Sequence, residues 1–182
     1  MFRIFRPAFG GALGNLYESF VKNVFYDTVE PCIGSVVKVD LVGGIVNHSG
    51  IYVGDGEIVE ITNIDGAAAV RRVSTTEFIN GPGGLLRTGV YIYVACKKDR
   101  NGKCVAMGSQ DIADRANAAV DRVGTYDLVT NNCHLFTEYC VTGEQPVPPG
   151  ILLSVENALK RRFVRHDYER LQDIWRSTGI AQ

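Results

Sequence analysis

The stretch from Ile45 to Thr62, IVNHSGIYVGDGEIVEIT, constrains the fold of this chain more than any other. Apolar β-branched residues alternate through it, and Gly54-Asp55-Gly56 interrupts it once, so it reads as two strands joined by a tight turn. If the turn is a three-residue loop, His48 opposes Thr62, Gly50 opposes Glu60 and Tyr52 opposes Ile58. That register puts His48 and Glu60 on one sheet face as diagonal neighbours, about 7–8 Å apart in backbone terms. A two-residue loop would put them on opposite faces.

The same β-branched texture runs from Cys32 to Ile61 and predicts a strand meander. Before it, Leu16, Phe20 and Val24 predict a helix near 15–27, ended by Pro31. After it, FINGPGGLLRTG (78–89) reads as a glycine-rich loop, deformable enough to border and gate a site. GVYIYVACKK and KCVAMG flank DRNG, whose Asn101-Gly102 pair predicts a hairpin with Cys104 opposite Asp99 and Cys96 opposite Met107. That register disfavours a Cys96–Cys104 disulfide.

Ser109 caps a predicted helix to about Val123, with Ile112, Ala116, Ala119, Val120 and Val123 as its apolar stripe and Gly124 as its stop. Residues 127–143 hold a short connection and a second helix. Pro146, Pro148, Pro149 and Gly150 break the chain before an amphipathic helix from Ile151 to about Thr178. The organisation is an N-terminal helical arm over 1–30, a central domain over 31–143 and a C-terminal amphipathic helical extension over 144–182.

A chain of 182 residues, 46% hydrophobic, can bury one sizeable core. Its net charge of −1 offers no field to gather nucleic acid, which is excluded as a partner. No apolar run reaches the ~20 residues of a membrane-spanning helix, and MFRIFRPAFGG lacks the apolar core of a signal peptide. Five cysteines, an odd number at low density, suit a reducing compartment. The chain therefore reads as cytoplasmic when made, with peripheral membrane attachment or export without a classical signal peptide as alternatives.

Asn131 and Asn132 are N-cap residue types, which places Cys133 in the first turn of its helix. There the unpaired N–H groups and the helix dipole favour a thiolate, lowering a thiol pKa from about 8.5 toward neutrality. Cys133, Phe136, Thr137 and Cys140 share the inward face of that helix, while His134 points elsewhere. Cys133 as nucleophile, His48 as base and Glu60 as the carboxylate orienting the imidazole supply the three roles of acyl-transfer catalysis. The plainer reading is an inert core thiol, a structural histidine and a solvated strand carboxylate. A zinc site from Cys133, His134, Cys140 and His166 lacks paired ligand spacing, so neither metal nor cofactor is expected.

HSGIYVGDGEIVEI followed by YDLVTNNCHLFTEYCVTG resembles the lecithin:retinol acyltransferase-like family over roughly residues 31–143. The resemblance implies an α+β, circularly permuted papain-like (NlpC-type) fold, its antiparallel sheet packed against the nucleophile helix. It makes His48 the base, Cys133 the nucleophile and Glu60 the third polar residue, where many members carry a second histidine. Where members often have Glu-His after the cysteine, this chain has His134-Leu135. Their apolar anchoring tail is replaced by the basic segment 160–166 and the apolar-basic segment 1–6, both suited to an anionic lipid surface.

The activity implied is cysteine-dependent acyl transfer or hydrolysis on glycerophospholipid esters, phospholipase A-like, through an acyl-thioester on Cys133. The alternative is an NlpC-type amidase or peptidase acting on cell-wall stem peptides, and a third reading is a silent binding module. An apolar pocket lining would favour lipid, a polar one peptide. An exported toxin of this kind would need a neutralising partner protein.

Overall fold

The computed structural model describes residues 28–41, 46–81, 91–125, 132–164 and 175–181. Among these, eight strands form one antiparallel sheet: β1 (Val36–Leu41), β2 (Val46–Gly54), β3 (Glu57–Ile64), β4 (Ala67–Ser74), β5 (Tyr91–Lys98), β6 (Cys104–Ala106), β7 (Val123–Thr125) and β8 (Trp175–Ala181). The order is β6-β5-β1-β2-β3-β4-β7, with β8 also on β5. The helices are α1 (Thr75–Asn80), α2 (Gln110–Asn117), α3 (Cys133–Thr142) and α4 (Leu152–Phe163). None of the described helices is long and apolar enough to cross a membrane.

Alternation along the strands gives the sheet two apolar faces. Val36, Ile51, Val59 and Ile61 pack against Ile112 of α2, Phe136 of α3 and Leu159 of α4. Val37, Val39, Ile58 and Val73 pack on the other side with Phe78 and Ile79 of α1. The architecture is thus α+β, with an antiparallel sheet between layers of unequal thickness.

The β2–β3 turn contains two residues, Asp55 and Gly56, both at positive φ (52° and 74°), closed by the pair Gly54↔Glu57. This corrects the predicted three-residue loop. A bulge between Tyr52 and Gly54 inserts Val53, however, and restores the register Tyr52↔Ile58 and Ile51↔Val59. The extra residue has moved from the turn into the strand, so His48 and Glu60 stay on one face. The β3–β4 connection repeats the device with Asp65-Gly66 at φ 50° and 89°. Its partner strand β4 went unassigned in the sequence because AAAV lacks a strand-like alternation.

Several elements depart from their predicted bounds. Phe78 and Ile79 are buried in α1, which Ser74 and Glu77 start with a capping box, so residues 78–80 of the predicted loop are helix. Residues 82–90 and the predicted helix 15–27 lie outside the described residues. The helix after Ser109 ends at Asn117, and Val123 enters β7 opposite Ala69, 74% exposed. Strand β4 captures this segment: Val70 donates to the Arg122 carbonyl and Asp121 to the Val70 carbonyl, both at 3.0 Å.

The DRNG hairpin pairs Lys98↔Cys104 and Cys96↔Ala106, one residue away from the predicted register. Asp99 donates to the Lys103 carbonyl around a three-residue loop with Gly102 at φ 78°, and neither Cys96 nor Cys104 is in a disulfide. The predicted tail helix stops at Phe163, and residues 175–181 instead form β8 on β5. The C-terminal extension is therefore helix and strand. Trp175, buried at the start of β8, donates its indole N–H to Glu156 of α4 at 2.9 Å, tying the two together.

Candidate active site

Helix α3 begins as the asparagine pair suggests. Asn132 Oδ1 accepts from the His134 and Leu135 N–H groups at 2.9 and 3.0 Å, and its Nδ2 donates to the Gly150 carbonyl at 3.0 Å. A Cβ on Gly150 would lie 2.3 Å from Leu135 Cγ and 2.6 Å from Asn132 Oδ1, so only glycine permits this approach. The cap is anchored at both ends, which fixes where Cys133 sits. Among the described residues, none accepts from the Cys133 N–H, one of the donors a helix start leaves unpaired.

On the sheet, His48 and Glu60 lie just beyond the last β2–β3 pair, Ile51↔Val59, and meet through side chains. His48 Nε2 is 2.6 Å from Glu60 Oε2, and both residues are buried. The imidazole packs at 5.2 Å and 40° on the Phe78 ring. With Nε2 engaged by Glu60, Nδ1 is the nitrogen left for the hydrogen bond between the His48 ring and the Cys133 thiol. The structure thus brings Cys133, His48 and Glu60 into one chain of contacts.

The electrostatics separate two cysteines on one helix. Burial pushes the Cys140 thiol up to about 12, with Arg115 opposing weakly. Burial also acts to raise Cys133, but the His48 charge, a hydrogen bond from His134 and one from His48 overcome it and hold the thiol well below its ordinary value. Reciprocally, burial acts to lower His48, yet the charge and hydrogen bond of Cys133, then those of Glu60, raise it to about 9. The favoured state is a thiolate beside an imidazolium.

Two groups around this chain were missed in the sequence. His134, read as pointing elsewhere, is half-buried and turns back over β2, its Nδ1 3.0 Å from Ser49 Oγ. Ser49 donates to the Cys133 carbonyl at 3.2 Å and lies 3.0 Å from Thr137 Oγ1, so one strand residue meets the first turn of α3 at three points. Helical spacing separates positions 133 and 134, but β2 passes under both. The second group is Arg71, whose guanidinium grips Glu60 Oε1 at 3.0 Å (Nε) and 2.7 Å (Nη2). Its signal was Asp65-Gly66: a two-residue turn there sets Glu60 opposite Arg71.

Gly50, between His48 and the bulge, leaves no room for a side chain. A Cβ there would sit 2.7 Å from Ile58 Cγ2, 3.0 Å from the Val59 carbonyl oxygen and 3.1 Å from Phe78 Cε2. Gly50→Ala should destabilise the fold by about 1–3 kcal/mol, seen as a lower Tm, and displace the ring that backs His48. An unchanged Tm would show that this contact relaxes freely.

Along α3, an open cleft of about 270 Å³ is lined by Ile61, Ala68 and Val70 of the sheet and Leu135, Phe136 and Tyr139 of the helix, with Arg122 and Gln145 among its polar lining and none of Cys133, His48 or Glu60 in it. The basic segment near 160–166 is partly committed elsewhere: Arg162 donates to Asp111 at 2.6 Å and to the Val141 carbonyl at 2.6 Å. Residues 1–6, 165 and 166 lie outside the described residues.

A thiol at a helix N-terminus, hydrogen-bonded to an imidazole that a carboxylate orients, is the arrangement on which cysteine-nucleophile acyl-transfer enzymes are built. The family model described as lecithin retinol acyltransferase matches residues 30–146, more than half of the chain. The chain belongs to that family, and membership supports an enzyme with acyltransferase or hydrolase activity on lipids. No curated protein matches it.

Proposed function

We propose that this chain is a phospholipase A-like thiol hydrolase or acyltransferase acting on glycerophospholipid esters, in a circularly permuted papain-like fold. In this reading the Cys133 thiolate attacks the ester carbonyl, and the Cys133 N–H holds the developing oxyanion. The tetrahedral intermediate collapses by expelling the lysolipid alkoxide, which takes the His48 proton and leaves as an alcohol. The acyl group remains on sulfur. His48, now neutral, then takes a proton from water or from an acceptor hydroxyl or amine, whose attack releases the acyl group and regenerates the thiolate beside the imidazolium.

The observation that carries the lipid reading is the family match over residues 30–146; a mostly aliphatic and aromatic cleft runs along α3, with Cys133, His48 and Glu60 outside its lining. A peptide-bond amidase of the NlpC type would use the same thiol and imidazole but needs polar partners for a peptide backbone. Peripheral attachment to an anionic membrane, through segments 1–6 and 160–166, would bring the substrate to the site. If the chain is exported as a toxin, a neutralising partner protein accompanies it.

The test incubates the protein with mixed phosphatidylcholine and phosphatidylethanolamine vesicles beside a Cys133→Ala control, and separately with a cell-wall stem peptide. Lysolipid and free or transferred fatty acyl product, seen only with an intact Cys133, support the reading. Peptide cleavage without lipid turnover replaces it with the amidase.

A further inference from the structure

We infer that Arg71 is a positioning residue for the acyl-transfer site, its guanidinium fork fixing the buried Glu60 carboxylate so that Glu60 can orient His48 against Cys133. The inference rests on the reading above and extends it to a residue three contacts from the sulfur. Glu60 and Arg71 are direct cross-strand partners in β3 and β4, so the backbone itself aims one at the other. Arg71 uses two nitrogens on Oε1, while Oε2 faces the imidazole. A carboxylate gripped this way cannot rotate without breaking two charge-assisted bonds.

Burial makes the grip matter. Glu60 is 0% exposed, whereas the Arg71 side chain is 27% exposed and reaches in from the solvent margin. A buried carboxylate with too few partners takes up a proton, and a protonated Glu60 would lose its charge on the imidazolium. With Arg71 in place, charges alternate along the chain: guanidinium, carboxylate, imidazolium, thiolate. Strand β4 also supplies an internal comparison, because Arg72 pairs with Glu57 at 2.8 Å with both side chains more than 40% exposed. Such a solvated pair contributes little.

The experiment follows iodoacetamide alkylation of the Cys133 peptide by mass spectrometry across pH, with Tm measured in parallel. This readout needs no lipid. Arg71→Ala should slow alkylation at neutral pH by about 10- to 100-fold and move the acid limb up by about one pH unit. Arg71→Lys should recover part of the loss, Arg72→Ala should change nothing, and Arg71→Ala should add little in a Glu60→Gln background. Arg71→Gln serves if alanine prevents folding.

An unmoved acid limb with only a lower Tm makes Arg71 structural and overturns the inference. So do Arg71 and Glu60 losses that simply multiply. If wild-type Cys133 itself resists alkylation at neutral pH, the thiolate site fails and this inference fails with it; a fast wild type with unaffected Arg71 variants sinks the inference alone.

Discussion

Intact-mass measurement of the protein quenched in acid after exposure to phosphatidylcholine should show a gain of one acyl chain on the Cys133 peptide, removable by hydroxylamine. The adduct follows from the charge state of the site: a thiolate next to an imidazolium attacks an ester without prior deprotonation, and sulfur holds the acyl group as a thioester. Cys133→Ser should lose the adduct and lower turnover by roughly three orders of magnitude or more. A serine hydroxyl has no comparable fraction ionised at neutral pH, and the helix start that suffices for a thiol does not activate an alcohol. Cys140 provides the control. Its thiol is pushed up to about 12, so Cys140→Ser should leave the adduct in place. An adduct that persists in Cys133→Ser would move the chemistry to another residue.

Removing His48 should carry the second large effect, several orders of magnitude in kcat/KM for His48→Ala, because members of such a site act as a unit. Its pH dependence has a defined sign. The working form is thiolate with imidazolium, so activity rises as Cys133 loses its proton, well below the ordinary thiol range. It falls as His48, raised to about 9, loses the proton it must give the leaving group. The profile is a bell with its alkaline limb near 9, and both limbs belong to the coupled pair. In His48→Ala, burial and the helix start are left to act with His134 alone, so the alkylation profile of Cys133 should move toward alkaline pH. A wild-type alkaline limb near 6.5, the ordinary histidine value, would show that the pair does not form.

The parts of the site that were legible in the sequence are those set by local rules. Asn132 before Cys133 is a cap with a helix behind it, and a glycine-interrupted β-branched run is a hairpin, so Cys133 and His48 could be placed without the fold. The register was legible for a less direct reason. The turn is shorter than predicted and the bulge at Val53 compensates, so face assignment survived an error in loop length. What stayed hidden depends on tertiary partners. The apolar stripe ending at Val123 looked helical until β4 captured the backbone at Asp121 and Arg122, and the tail helix was cut short by the open edge of β5. Arg71 was invisible because its strand was, and His134 because neighbouring helical positions do not ordinarily share a strand.

The edge of β5 is closed jointly by two short segments, β6 on Cys96–Lys98 and β8 on Tyr91–Ala95, and the second comes from the last residues described. The family match ends at residue 146, yet α4 packs on α3 and β8 joins the sheet beyond that point. Homology and autonomy therefore have different boundaries in this chain. A polypeptide trimmed at 146 would retain Cys133, His48, Glu60 and Arg71 but present an unpaired row of backbone N–H and C=O groups along β5, beside apolar surface that α4 had covered. Such an edge recruits other chains. For expression, and for any fusion made at the C-terminus, the unit to preserve is the sheet with β8 and α4 in place and not the family-matched segment 30–146 alone.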